Sequence, residues 1–204
     1  MTNMFTHVGN YSQYSEEMIA QYSFPKNNGQ AKITYEWGEQ RYQDLPTVMM
    51  KICHDACVAS GDEELLESNP FVIVERHHNI LCKDGKVKNE FATHSDRDGP
   101  AGGPCRSLLY YYQIDEGIDD VGLHFYEWRD EDEIMTTTDK PLCTFTPISG
   151  DVITFGDNIP HCPGNFKTDS DAPKVRGVFA IFIKHPTIET EKPRSCMSWL
   201  DCFS

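Results

Sequence analysis

The sequence lacks an apolar run long enough to cross a bilayer, so no transmembrane helix is expected. It also lacks basic clusters. Lys and Arg number 18 against 32 Asp and Glu, a formal net charge of −14. Such a surface repels phosphate backbones and anionic headgroups, which disfavours nucleic acid and membranes as partners. The opening stretch "MTNMFTHVGNYSQYSEEM" has neither the basic start nor the apolar centre of a secretory signal, so a cytoplasmic location is expected. There is no internal repeat, no low-complexity linker and, among eight cysteines, no Cys-x-x-Cys. Without an export signal, the even cysteine count does not argue for disulfides. Cys53 and Cys57 share a helical face and read as buried free thiols, with a zinc site as the alternative. What is there is 204 residues, 39% apolar and 25% charged: enough for one globular domain, 1–204, with its own core.

Two zones divide the chain. The first, a helical support over 1–70, carries its helical signals in residues 12–68. "SQYSEEMIAQYS" offers Ser12 as an N-cap and early acidic residues. "DLPTVMMKICHDACVASGDEELLES" sets Leu45, Val48, Met49, Ile52, Cys53 and Ala56 at helical spacing, with Pro46 in the first turn and Gly61 as the stop. "AKITYEWGEQ" between them reads as a strand. From 71 to 185 the texture is that of short strands: "FVIVERHH", "NEFATHS", "RSLLYYYQI", "GLHFYEW", "LCTFTPI", "DVITFG" and "GVFAIFIK", separated by turn-forming stretches. "EWRDEDE" reads as a solvated acidic loop that would favour cationic substrates if it overhung a site. Residues 186–204 form a Pro-broken tail in which Trp199, Leu200 and Phe203 either fold back on apolar surface or stay loosely ordered. The fold class is α+β, mainly β, a barrel or sandwich buttressed by N-terminal helices.

"EFATHSDRDGP" holds the chemistry. On a strand, alternation puts His94 and Asp96 on one face, where two ligands can share a metal ion. His161, in the turn-rich "FGDNIPHCPGN" directly after the strand "DVITF", is the candidate for the third. Two imidazoles and one carboxylate, with no thiolate, form the facial triad that suits ferrous iron and leaves positions open for a co-substrate and oxygen. His124 is the rival ligand, or lines a substrate mouth, or is a strand histidine with its hydrogen bonds satisfied. Arg97, next to Asp96, is a candidate substrate contact or a surface ion pair; Arg76 and Arg106 are weaker candidates. His77 and His78 read as structural.

These motifs, in this order, resemble the 2-oxoglutarate and Fe(II)-dependent dioxygenase superfamily, in particular its prolyl-hydroxylase-like branch. "THSDRDGP" matches the family's His-x-Asp motif, "RSLLYYYQ" its tyrosine strand, "VGLHFYEW" its Gly-aromatic strand, "PISGDVITFGDNIPHCPGN" the segment delivering the distal histidine, and "VRGVFAIFIK" the last core strand. The resemblance implies a double-stranded β-helix, or jelly roll, with iron on His94, Asp96 and His161. It implies that Arg176 pairs with the distal carboxylate of 2-oxoglutarate and that Tyr111 hydrogen-bonds it. Arg176 follows His161 by 15 residues, more than is usual, and "KTDSDAP" absorbs the difference; Lys167 and Lys174 are the fallback cations. Val178 stands where many members place Ser or Thr. The implied cofactors are Fe(II), 2-oxoglutarate and O2. The implied reaction hydroxylates a C–H bond of a protein side chain such as proline, or of an amino-acid-like small molecule, releasing succinate and CO2. The competing expectations are a cupin-like metalloenzyme that ignores 2-oxoglutarate, and a non-catalytic module with a relic site.

Overall fold

The structure, a computed structural model, describes residues 4–16, 31–36, 47–66, 71–80, 92–97, 105–131, 134–170, 172 and 174–184. Among these, eleven strands and one α-helix follow in order: β1 (Thr6–Asn10), β2 (Ala31–Glu36), α1 (Thr47–Ser60), β3 (Phe71–Ile80), β4 (Cys105–Ile114), β5 (Leu123–Phe125), β6 (Trp128–Glu131), β7 (Ile134–Thr137), β8 (Cys143–Phe145), β9 (Asp151–Gly156), β10 (His161–Pro163) and β11 (Lys174–Lys184). The chain is mainly β, as its sequence texture implies. A six-stranded sheet runs β1-β9-β4-β11-β3-β2, a three-stranded sheet runs β10-β5-β8, and β6 pairs with β7. Every pairing is antiparallel.

The long strands are the β-branched and aromatic runs, and their alternation sorts side chains onto two faces. On one face of the six-stranded sheet lie Leu108, Tyr110 and Tyr112 of β4, Val152 of β9, and Phe179, Ile181 and Ile183 of β11. Against them α1 lays Met49, Ile52, Cys53, Ala56 and Cys57, the i, i+3, i+4, i+7, i+8 stripe of an amphipathic helix. Burying each large member of that stripe is worth ~1.5–3 kcal/mol. The opposite face carries Tyr111, Ile153, Phe155 and Val178, which pack on Leu123 and Phe125 of the three-stranded sheet. The interior between the two sheets is therefore lined from β4, β9 and β11 on one side and β5 on the other.

Several expectations need correction. Thr6–Asn10, read as part of a helical zone, is a strand on the edge of the main sheet, paired with β9. Ser12 is not a capping residue: Tyr11 takes that position before a short 3₁₀ turn at Ser12–Tyr14, without a side-chain cap bond. Residues 17–23 of the expected first helix lie outside the described residues, as do Leu45, Pro46 and the tail 186–204. "NEFATHS" is not a regular strand over 92–95; it contributes an isolated bridge at His94, and residues 89–91 lie outside the described set. The acidic "EWRDEDE" is not an open loop, because its first residues form β6 and pair with β7. By contrast, Gly61 ends α1 as expected, with a φ of 76° that disfavours other residues.

Gly150 joins the site-bearing strands. Its φ is 93°, its amide donates to the Tyr111 carbonyl at 2.7 Å, and its own carbonyl accepts from the Tyr11 amide at 2.7 Å. A Cβ there would sit 2.3 Å from the Ser12 nitrogen. Gly150→Ala is expected to destabilise the fold by about 2–4 kcal/mol, the sum of left-handed strain and steric displacement, read as a lower urea midpoint at unchanged m-value. Cys53 and Cys57 are free and buried, and burial raises the pKa of each thiol, that of Cys57 to about 11. Iodoacetamide at mildly alkaline pH is expected to leave both unmodified in the folded protein and to alkylate both in urea, read by mass spectrometry of the peptide that carries them.

Candidate metal centre

His94 and His161 sit directly opposite each other in an antiparallel bridge. The His94 amide donates to the His161 carbonyl at 3.0 Å, and the His161 amide donates to the His94 carbonyl at 2.8 Å. Residues paired this way project to the same side, and the two rings stand with centroids 4.5 Å apart. The bridge adds the 92–96 segment to the free edge of β10. Asp96, two residues beyond His94, faces the same way: its Oδ1 is 3.9 Å from His94 Nε2 and its Oδ2 is 3.7 Å from His161 Nε2. The ligand atoms of all three residues lie within 4.8 Å of one another.

Each ring is oriented from behind. His94 Nδ1 lies 3.0 Å from the Ala92 carbonyl and His161 Nδ1 lies 2.9 Å from the Ile159 carbonyl. A carbonyl only accepts, so both Nδ1 atoms carry the hydrogen and both Nε2 atoms present lone pairs toward the shared space. Asp96 is 3% exposed and His161 5%. The Asp96 amide donates to the Asp157 carbonyl at 2.8 Å, and the Asp157 carboxylate accepts from the Cys105 amide at 3.1 Å, tying this segment to the start of β4. The Ser107 hydroxyl donates to Asp96 Oδ2 at 2.5 Å. Phe155 packs edge-on to the His161 ring at 4.8 Å, and Phe125 lies 6.3 Å from it. Two nitrogens and an oxygen, with aromatic walls behind them, fit a divalent ion of the ferrous kind.

Arg176 and Tyr111 line the same interior. Arg176 is 2% exposed. Its guanidinium lies 4.4 Å from the Phe166 ring centroid and 5.2 Å from that of Tyr111. The Arg176 Nε and the Tyr111 hydroxyl are buried without a hydrogen-bond partner. Burial lowers the Arg176 pKa from its ordinary value and pushes that of Tyr111 up to about 12, the Arg176 charge opposing the latter shift. A buried cation and a buried hydroxyl, each with unused donors, form a receptacle for a carboxylate. Lys167, a fallback cation, is exposed and faces Asp119 at 3.9 Å.

The remaining candidates lie elsewhere. Arg97 follows Asp96 and is exposed. His124 pairs with Cys162, one residue out of step with His161 opposite Phe125, so the pleat turns it to the sheet's other face. There its Nδ1 is 2.8 Å from Thr144 Oγ1 and its Nε2 3.1 Å from Asp120 Oδ1. Arg106 pairs with Asp62. Arg76, His77 and His78 lie on β3, the last two opposite Gly177 and Arg176. Three residues escaped the sequence reading. Ser107 is one, although its odd-numbered register with Tyr111 on "RSLLYYYQ" was available as a signal. Phe166 and Tyr126 are the others. The Tyr126 hydroxyl lies 3.5 Å from Cys162 Sγ and also bonds Thr93, so it links the neighbours of both histidines on the outer face.

No protein-family model matches the sequence, and no curated protein matches it. Solved structures do. IDO from Bacillus thuringiensis matches with a TM-score of 0.55 at 8% identity, over 88% of this chain and 92% of that one. An oxidoreductase of the 2OG-Fe(II) oxygenase family from Burkholderia pseudomallei matches with a TM-score of 0.52 at 10% identity, over 89% and 85%. TqaL, an Fe(II)/α-ketoglutarate-dependent dioxygenase, matches with a TM-score of 0.51 at 8% identity, over 92% and 84%. The chain therefore shares its fold with solved Fe(II)/2-oxoglutarate oxygenases, and the likeness is one of backbone rather than of sequence.

Proposed function

We propose that the chain is an Fe(II)- and 2-oxoglutarate-dependent oxygenase, a single domain over 1–204. Its two facing sheets are read as the walls of a double-stranded β-helix. In this reading it hydroxylates a C–H bond of a protein side chain such as proline, or of an amino-acid-like small molecule. The observation that carries the proposal is the convergence of His94, Asp96 and His161 within 4.8 Å, with both imidazoles fixed in the ligating tautomer. The neighbouring fold supports the same class.

His94, Asp96 and His161 would hold the iron, and Arg176 with Tyr111 would hold the distal carboxylate of 2-oxoglutarate. Bound together, iron and 2-oxoglutarate supply oxygen activation coupled to decarboxylation, with succinate and CO2 as co-products. The Nδ1 contacts with the Ala92 and Ile159 carbonyls leave each Nε2 as the nitrogen that would face the metal. Tyr111 remains a hydrogen-bond donor across the working pH range, since burial raises its pKa to about 12. Arg176 stays charged in any case, and a carboxylate between it and Tyr111 offsets the cost of its burial. Val178 leaves those two residues as the named anion contacts. Leu123, Phe125, Ile153, Phe155 and Val178 form a buried apolar cluster with Tyr111, which would keep bulk water from the carboxylate's receptacle. Arg97, exposed beside the metal segment, is the better placed of the two candidate substrate contacts; His124 would act from the outer face, through its bonds to Thr144 and Asp120.

The test is succinate formation from 2-oxoglutarate with ferrous iron in air, across a panel of peptides and amino acids. One iron per chain and substrate-stimulated succinate are expected. Asp96→Ala is expected to abolish stoichiometric iron binding, read by metal analysis after gel filtration. Arg176→Ala is expected to keep iron but to need about 10- to 100-fold more 2-oxoglutarate, the loss of ~1.5–3 kcal/mol for a charge-assisted contact. Iron-dependent turnover indifferent to both 2-oxoglutarate and Arg176→Ala would instead mark a cupin-like enzyme. Absence of iron binding would mark a relic site.

A further inference from the structure

Asp96 has two carboxylate oxygens, and the protein treats them differently. Ser107 is fully buried on β4, two residues before Leu109 and four before Tyr111, on the face turned toward the metal centre. Its strand is fixed on both sides, with Ser107 opposite Phe155 of β9 and Phe182 of β11. Its own carbonyl accepts from Thr154 Oγ1 at 3.0 Å. The hydroxyl reaches Asp96 Oδ2 at 2.5 Å, within the span of a hydrogen bond to an ionised carboxylate. Among the described residues no donor is bonded to Oδ1, which faces His94 Nε2. The Asp96 main chain is pinned separately through Asp157.

We propose that Ser107 is a positioning residue that engages one oxygen of Asp96 and thereby holds the carboxylate to single-oxygen coordination. The inference rests on the iron reading above. A carboxylate binds a divalent ion through one oxygen or two, and the choice follows its surroundings. An oxygen already accepting a buried hydrogen bond has less density to give a cation, so Oδ1 becomes the metal donor. The consequence is a count of open positions. Two imidazoles and one oxygen leave about three positions of an octahedron, enough for a chelating 2-oxo acid and oxygen. If Asp96 chelated, about two would remain, and the 2-oxo acid and oxygen would compete for them. Ser107 thus preserves the position that oxygen requires without touching iron, co-substrate or substrate.

The test uses Mn(II), a hard divalent ion whose bound waters are counted from water-proton relaxation, on the full chain. Wild type is expected to bind one Mn(II) with about three exchangeable waters, and Ser107→Ala to bind it with about two. Titration of the anaerobic Fe(II) protein with 2-oxoglutarate, followed by its visible charge-transfer absorption, is expected to need about 10- to 100-fold more ligand in Ser107→Ala. Equal water counts in the two proteins overturn the proposal. If Ser107→Ala does not fold, the wild-type count decides alone, and about two waters there overturns it. Failure of wild type to bind Mn(II) or Fe(II) at all would instead refute the iron reading, so the two failures are distinguishable.

Discussion

The reciprocal backbone pair between His94 and His161 is the contact on which the site depends. It is two amide–carbonyl hydrogen bonds, of 3.0 and 2.8 Å, between segments far apart in the sequence. Each bond is worth only ~1 kcal/mol net. What they supply is register. In a β bridge a slip of one residue turns a side chain to the other face, so this pairing decides whether the two imidazoles share a space or point apart. Asp96 inherits its direction from the same register, because it lies two residues on from His94.

The six-stranded sheet works as a partition. One face is closed by α1 and its apolar stripe, and it carries stability. The other face holds Ser107, Tyr111 and Arg176, the buried polar groups that face the three-stranded sheet. The buried polar atoms of this inner face divide in a telling way. Ser107 spends its hydrogen on Asp96, whereas the Tyr111 hydroxyl and Arg176 Nε have no partner in the protein. Buried donors left unpaired cost stability, and a fold tolerates that cost where a ligand completes the set. The outer face of the three-stranded sheet is organised differently: Tyr126 links Thr93 to Cys162, and His124 links Thr144 to Asp120. These contacts brace the segments that carry His94 and His161 from behind.

Most strands were legible because their residues are strongly patterned. "DVITFG" is β9 without adjustment, and "RSLLYYYQI" differs from β4 by one residue. Helix α1 was legible from its stripe and from Gly61. The failures share a cause: local composition pointed one way and a distant partner another. Thr6–Asn10 has weak strand signals and becomes one by pairing with β9. "EWRDEDE" reads as solvated loop by charge, yet its first residues join a hairpin.

By itself, the sequence determined the inventory: which stretches extend, which one coils, and which residues have ligating atoms. The spacing of His94 and Asp96 made them co-facial wherever that segment lay extended, and the cation best suited to head the last strand was already Arg176. Tertiary structure alone decided the pairings. His161 rather than His124 meets His94 and Asp96 because the two histidines are one residue out of step in the β10–β5 pairing, and the pleat sends them to opposite faces. Ser107 meets Asp96, and Phe166 meets Arg176, because segments outside the strands fold back onto β4 and β11. Such neighbours leave little local trace, since a hydroxyl or a ring has its role only once another part of the chain has been brought to it.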